Sequence, residues 1–186
     1  MNQPEDSGAP SKQSRGGNRP TALPGVSLRA IAPDDMEFLY SLYRSNRLDE
    51  MARIGWGEAE QEAFLRQQFH AQHTHYHQHY LGAHFDVIER EGEPIGRLYV
   101  HRTEGQIGLM EITLRPEWRN RGIGGGLTRE LLQEAAQQEK SVVLYVEPEN
   151  PAKRLYERLG FVDVAPEGPY YMRMHWLPAN PAKQTS

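Results

Sequence analysis

The sequence predicts a mixed α/β domain, a single central sheet of about six or seven strands with helices on its faces. Three observations predict it. Short runs of β-type apolar residues recur along the chain, and helical runs with an apolar stripe interrupt them. The two kinds interleave in the order β-α-α-β-β-β-α-β-α-β-β, which a sheet layered with helices accommodates.

Val26 to Ile31 reads as the first strand. Pro33-Asp34-Asp35 then opens a helix, with acidic residues in its first turn and an apolar face of Phe38, Leu39, Leu42 and Tyr43. Asn46 to Gly57 reads as a loop. Glu58 to about Tyr80 reads as a long helix, with Phe64, Leu65 and Phe69 at helical spacing. Three strands follow at His84 to Glu89, Ile95 to Val100 and Ile107 to Leu114, parted by turns at Glu91-Gly92-Glu93 and near Glu104-Gly105. Beyond a glycine-rich turn come a helix from Leu127 to Glu139, a strand from Val142 to Val146 and a short helix from Asn150 to Leu159. Strands at Phe161 to Val164 and Tyr170 to Trp176 close the domain. Residues 1–25 are rich in Pro, Gly, Ser, Gln and Asn. They hold almost no large apolar side chain to offset their conformational entropy, so this segment and the tail 179–186 are expected to be disordered around a folded domain at 26–178.

With 186 residues, 38% of them hydrophobic, the chain has room for a real core. A net charge of −4 argues against a nucleic-acid binder, which carries a basic face or stripe. No apolar run reaches about 18 residues, so no membrane partner or span is expected. The first residues lack a secretory profile, and a cytoplasmic location is the default. The absence of cysteine excludes disulfides, thiol nucleophiles and thiolate metal sites. His70, His73, His75, His77 and His79 crowd one predicted helix. Pairs at i, i+4 can bind zinc, but a site needs further ligands, and the interleaved Gln, Thr and Tyr read as a solvent face. No metal is expected. A homodimer is the default assembly.

The run from Arg115 to Leu127 carries the chemistry: three arginines, then Gly122, Gly124, Gly125 and Gly126 at the start of a helix that follows a strand. The first turn of a helix has amides without partners and a dipole that favours anions. Each interior helix glycine is about 0.8–1.0 kcal/mol worse than alanine, so three in succession suggest compensation by a bound polyanion. A P-loop would need Gly-Lys-Ser/Thr, which does not occur. A dinucleotide-binding turn would need a third glycine where Leu127 stands, directly after its strand. Neither fits.

Arg119-x-x-Gly122-x-Gly124 resembles the acetyl-CoA pyrophosphate loop of the GNAT (GCN5-related N-acetyltransferase) superfamily. A second block, from Leu144-Tyr-Val146 through Asn150 and Leu155-Tyr156 to Gly160-Phe161, is similar to the strand, helix and turn that follow in that family. The resemblance runs from about Val26 to Trp176. It implies a mostly antiparallel sheet in which two neighbouring strands splay apart, and acetyl-CoA as co-substrate. It implies cofactor contacts from Ile112, Leu114, Arg119, Asn120, Arg121, Gly122, Ile123, Gly124, Gly125, Asn150 and Tyr156. Tyr156 would protonate the departing thiolate. Tyr156 and Asn150 each have a structural reading as well. Ala152, Leu155, Tyr156 and Leu159 form an amphipathic stripe, and Asn150 suits a helix N-cap. Glu111 and Glu147 are the candidates for the base that deprotonates the amine. Glu111 lies three residues before Leu114, so the two side chains face opposite sides of the sheet unless a bulge intervenes.

The implied activity is acetyl transfer to a primary amine of a small molecule or peptide by direct attack in a ternary complex. A non-catalytic acyl-CoA-binding module of the same fold is the alternative. Tyr40, Tyr43, Arg44, Arg47, Arg53, Trp56, Tyr170 and Tyr171 are the residues offered to the acceptor.

Overall fold

The computed structural model describes residues 17–179. Eight strands form one sheet in the order β1-β2-β3-β4-β5-β6-β8-β7. They are β1 (Arg19–Pro20), β2 (Val26–Ala30), β3 (His84–Arg90), β4 (Glu93–Arg102), β5 (Gln106–Leu114), β6 (Ser141–Val146), β7 (Val162–Glu167) and β8 (Tyr171–Trp176). Every pairing is antiparallel except β5 with β6. The helices are α1 (Met36–Ser45), α2 (Leu48–Met51), α3 (Glu58–His79), α4 (Ile123–Gln137) and α5 (Lys153–Arg158).

Helices cover both faces. Against α4 and α5 the sheet buries Ile88, Leu98, Val100, Ile107, Leu109, Val142, Leu144 and Met174 in one core with Leu127, Leu131, Ala135 and Tyr156. The opposite face packs under α1 and α3, whose Leu39, Tyr40, Tyr43, Leu65 and Phe69 form a second cluster with Met51. A buried ion triad ties α1 to the sheet: Arg29 bonds Glu89 within the sheet and, through two nitrogens, Asp35 at the start of α1.

Several boundaries differ from expectation, three of them as follows. Arg19 and Pro20 lie inside the segment expected to be disordered, yet they pair with Leu28 and Ser27, and Arg19 is salt-bridged to Asp86. The folded body therefore begins before residue 26; residues 1–16 lie outside the described ones, as do 180–186. A one-turn helix, α2, occupies part of the expected 46–57 loop. α4 starts at Ile123 and not at Leu127. Its glycines are held by packing, because a Cβ on Gly126 would sit 2.6 Å from Leu23 Cδ2 and one on Gly125 would sit 3.2 Å from Leu155 Cδ1.

β5 and β6 pair in register only from Gln106/Ser141 to Leu109/Leu144. Beyond that point β5 continues beside β4 alone, and β6 continues beside β8. Two neighbouring strands thus part in the middle of the sheet, as the resemblance implies.

Candidate active site

The parting begins where β5 is bulged. Val100 pairs with Leu109 and Tyr99 with Glu111, which leaves Met110 as the extra residue. Leu109 before the bulge, and Ile112 and Leu114 after it, face α4 and α5. Glu111 and Thr113 alternate with them and face α1 and α3. The bulge precedes Glu111, so Glu111 and Leu114 do lie on opposite faces.

On the α4 side the helix start is open to a ligand. Gly122 caps α4 with φ +80°, a left-handed conformation suited to glycine, and Asn120 is also left-handed at φ +57°. The first intrahelical bond is Gly126 N–H to Gly122 O at 2.8 Å. The amides of Ile123, Gly124 and Gly125 therefore have no partner within the helix, no side chain caps them, and no acidic residue stands in the first turn. A Cβ on Gly122 would meet nothing within 4 Å, and one on Gly124 only Ile112 Cδ1 at 3.8 Å. Of the four glycines, Gly122 and Gly124 border open space, whereas Gly125 and Gly126 serve packing. The energetic oddity of the glycine run thus has two causes.

The arginines divide as well. Arg119 donates to Leu114 O at 3.0 Å, Asn46 Oδ1 at 2.9 Å and Ser45 Oγ at 3.3 Å. It clamps the end of β5 to the end of α1. Arg121 lies over the Trp118 ring, and Arg115 pairs with Glu93 at 3.2 Å. Arg129, one turn into α4, brings its guanidinium within 3.7 Å of the place a Gly125 Cβ would occupy. It adds a cation at the helix start that motif reading passed over.

α5 is held against this helix start by Leu155. Tyr156 is buried, with its ring set edge-on to Phe161 at 5.7 Å. Burial pushes its phenol up to about 12, and its hydroxyl has no hydrogen bond among the described residues. Asn150 Oδ1 accepts from Ala152 N–H at 2.9 Å, so its carbonyl oxygen shapes the turn into α5 while its amide nitrogen stays free for a ligand. Glu147, just past β6, is half-buried.

The other side of the parting is polar and enclosed. Arg97 is fully buried and donates to Glu111 Oε1 through both Nε and Nη2. Thr113 Oγ1 donates to the same oxygen at 3.1 Å. Glu111 Oε2 and the Tyr99 hydroxyl are buried without partners. Burial pushes the Tyr99 phenol up to about 12, against the opposing pull of Arg97. Alternation in β4 carried the signal for these residues: Leu98 and Val100 on one face leave Arg97 and Tyr99 on the other.

The residues offered to the acceptor are mostly spoken for. Tyr40 and Tyr43 are core, packed on Phe69, which corrects their assignment to a binding surface. Arg44 pairs with Glu62, and Arg47 lies over the Tyr43 ring. Trp56, Tyr170 and Tyr171 remain exposed. Four histidines of α3 lie in pairs, His73 tilted against His77 and His75 stacked on His79. Among the described residues no three of His, Asp and Glu gather into a ligand set.

Solved structures share this fold. The structure resembles PaiA N-acetyltransferase from Thermoplasma acidophilum in complex with coenzyme A, at 19% identity and TM-score 0.61, over 82% of this chain and 98% of that one. It resembles an acetyltransferase from Thermus thermophilus at 19% identity and TM-score 0.58, over 82% and 96%. RimL, a ribosomal L7/L12 α-N-protein acetyltransferase in complex with coenzyme A, matches at 16% identity and TM-score 0.58, over 87% and 98%. No curated protein matches the chain by sequence. Residues 60–163 match the family model described as the acetyltransferase (GNAT) domain, and the chain belongs to that family.

Proposed function

We propose that the protein transfers an acetyl group from acetyl-CoA to a primary amine of a small molecule or peptide, in one ternary complex and in the cytoplasm. The observation that carries the proposal is the parting of β5 from β6 beside the uncapped first turn of α4. An extended chain lying along Glu111–Leu114 would meet backbone groups that no neighbouring strand uses, at the edge of a sheet. Ile112 and Leu114 are the backbone positions assigned to this contact. A pyrophosphate at the head of α4 would meet the amides of Ile123, Gly124 and Gly125 at the positive end of the helix dipole. Asn120, Arg121 and Gly122 line its approach, and Arg119 holds the loop in place from behind.

In the reaction the amine nitrogen bonds to the thioester carbonyl carbon, and the carbon–sulfur bond breaks. The ammonium proton must leave before attack, and the sulfur must gain a proton as it departs. Glu111 and Glu147 are the assigned acceptors for the first proton; Glu111 keeps one oxygen, Oε2, without a partner. Tyr156 is the assigned donor for the second, and its high value keeps the phenol protonated across the physiological range. Without cysteine no thiol-linked enzyme intermediate can form. Fixing amine and thioester in one site supplies much of the rate, because a bimolecular encounter becomes local.

The test is release of CoA from acetyl-CoA across a library of primary amines, preceded by calorimetry with acetyl-CoA. Saturable release that depends on the amine is expected. Binding of acetyl-CoA with no release for any amine would favour a sensing module instead.

A further inference from the structure

On the α1/α3 face the cover of helices stops short of β6 and β8. Tyr145, in the interior of the sheet order, is 51% exposed, and Tyr171 is 42% exposed. Tyr145 pairs with Arg173, so the two side chains share this face, and Tyr171 stands two residues along the same strand. Arg173 carries a buried Nε with no hydrogen-bond partner, and no carboxylate lies within ion-pair distance of it among the described residues. Its field reaches His175, whose imidazole is held below its usual value, first by burial and then by Arg173.

Across the parting stand Glu111, with one buried unpartnered oxygen, and the orphaned Tyr99 hydroxyl. Tyr76 of α3 joins the two sides. Its ring packs on Tyr99 at 6.0 Å, and its phenol, pushed up by burial and then by the Glu111 carboxylate, lies within electrostatic reach of Tyr171. The charges do not cancel: Arg97 and Glu111 neutralise one another, and Arg173 is left as an unbalanced cation. Arg173 is half-buried, and its one buried donor nitrogen lacks a partner; a group placed so is suited to a ligand that supplies the missing acceptor.

Resting on the acetyl-transfer reading, we infer that this face is the acceptor subsite and that it selects a small amine bearing its own anionic group, which Arg173 binds while the amino group points toward Glu111. An α-amino acid has this pattern, with ammonium and carboxylate on one carbon. An aminoalkyl phosphate has it on a longer tether. The shared chemistry is an amine close to an anion. Arg173 acts here as a specificity-determining residue, and the proton transfers do not involve it.

The test measures CoA release with the proteinogenic α-amino acids, their carboxamides and aminoalkyl phosphates, using the wild type, Arg173→Gln and Arg173→Lys. The anionic amines should exceed the carboxamides in kcat/KM by about tenfold or more, the usual scale of one charge-assisted hydrogen bond. Arg173→Gln should abolish that preference by lowering the anionic substrates alone, and Arg173→Lys should restore part of it. Circular dichroism checks that each variant folds. Carboxamides equal to the acids in the wild type, or an unchanged preference in Arg173→Gln, overturn the inference. Whichever class of anion wins identifies the source. If no amine releases CoA, the transfer reading fails, and the subsite is then read by calorimetry of the same amines on CoA-loaded protein. Binding of the anionic amines that Arg173→Gln removes supports the subsite; equal binding of acids and carboxamides, or none of either, refutes it.

Discussion

Tyr156 is a core residue to which the proposed mechanism also gives a chemical role. Its ring is part of the core, and the same burial that makes it a core residue raises its phenol to about 12. Tyr156→Phe keeps the ring and removes the proton. The expected result is a kcat lower by about a hundredfold with KM for acetyl-CoA nearly unchanged, the scale of one general acid. An unaltered kcat would remove the tyrosine from the mechanism. A second consequence follows from linkage. The folded value lies above the unfolded value of about 10, so this group's contribution to stability is whole below about pH 10. It is lost as pH rises through about 12, and amounts to about 3 kcal/mol at about 1.36 kcal/mol per unit. Urea unfolding should therefore weaken between those two pH values, and Tyr156→Phe should weaken less. Glu111 is a different case, since its partner Arg97 is fully buried. Arg97→Met would leave the carboxylate unpaired inside the protein and should cost about 3–5 kcal/mol by urea titration, whether or not Glu111 takes part in catalysis.

At the scale of elements, substitutions at the head of α4 separate the proposed ligand binding from folding. Gly124→Glu places a side chain where only ordinary contact with Ile112 awaits it. The new carboxylate sits in the first turn, where the dipole favours it by about 0.3–1 kcal/mol, and the helix also loses a glycine. Stability should hold or rise while acetyl-CoA affinity falls at least about tenfold, read by thermal melting and calorimetry on one sample; retained affinity would refute the loop assignment. Gly126→Ala should do the reverse. Leu23 must retreat from the new methyl, an overpacking cost of about 1–3 kcal/mol against about 1 kcal/mol of helix propensity gained. The motif Arg119-x-x-Gly122-x-Gly124 made this turn legible from sequence, as periodicity did for α3 and for strands β3 to β6. Other features were not legible. The two residues of β1 have no periodicity to read, because their strand geometry comes from pairing with Leu28 and Ser27. The early start of α4 was hidden because glycine propensity argues against helix there, and contacts with Leu23 and Leu155, distant in sequence, overrule it. The unpartnered state of Arg173 was hidden for a similar reason, since it is visible only once β6, β8 and α3 are assembled.

At the scale of the whole molecule, the sheet is two blocks joined by a short seam. β1 to β5 form one block and β6 to β8 the other, and the parallel ladder between them runs only from Gln106/Ser141 to Leu109/Leu144. α4 and α5 lie across one face of that seam, and their shared core with both blocks keeps the parting open without separating them. A ligand that fills the gap adds contacts to each block, so binding should be felt as global stability and not as a local effect. At about 100 times Kd the linkage is worth about 2.7 kcal/mol. For a chain of this size that corresponds to a melting shift of about 5–10 °C. Acetyl-CoA and CoA should both produce it, NAD should not, and Gly124→Glu should lose it. Hydrogen exchange on the same samples locates the effect: amides of Glu111–Leu114 and of the first turn of α4 should slow on binding, while those of β3, already paired on both sides, should follow only the global change. Protection confined to α4 would mean that the pyrophosphate site is occupied but the parting is not, and the extended-chain contact along β5 would then have to be abandoned.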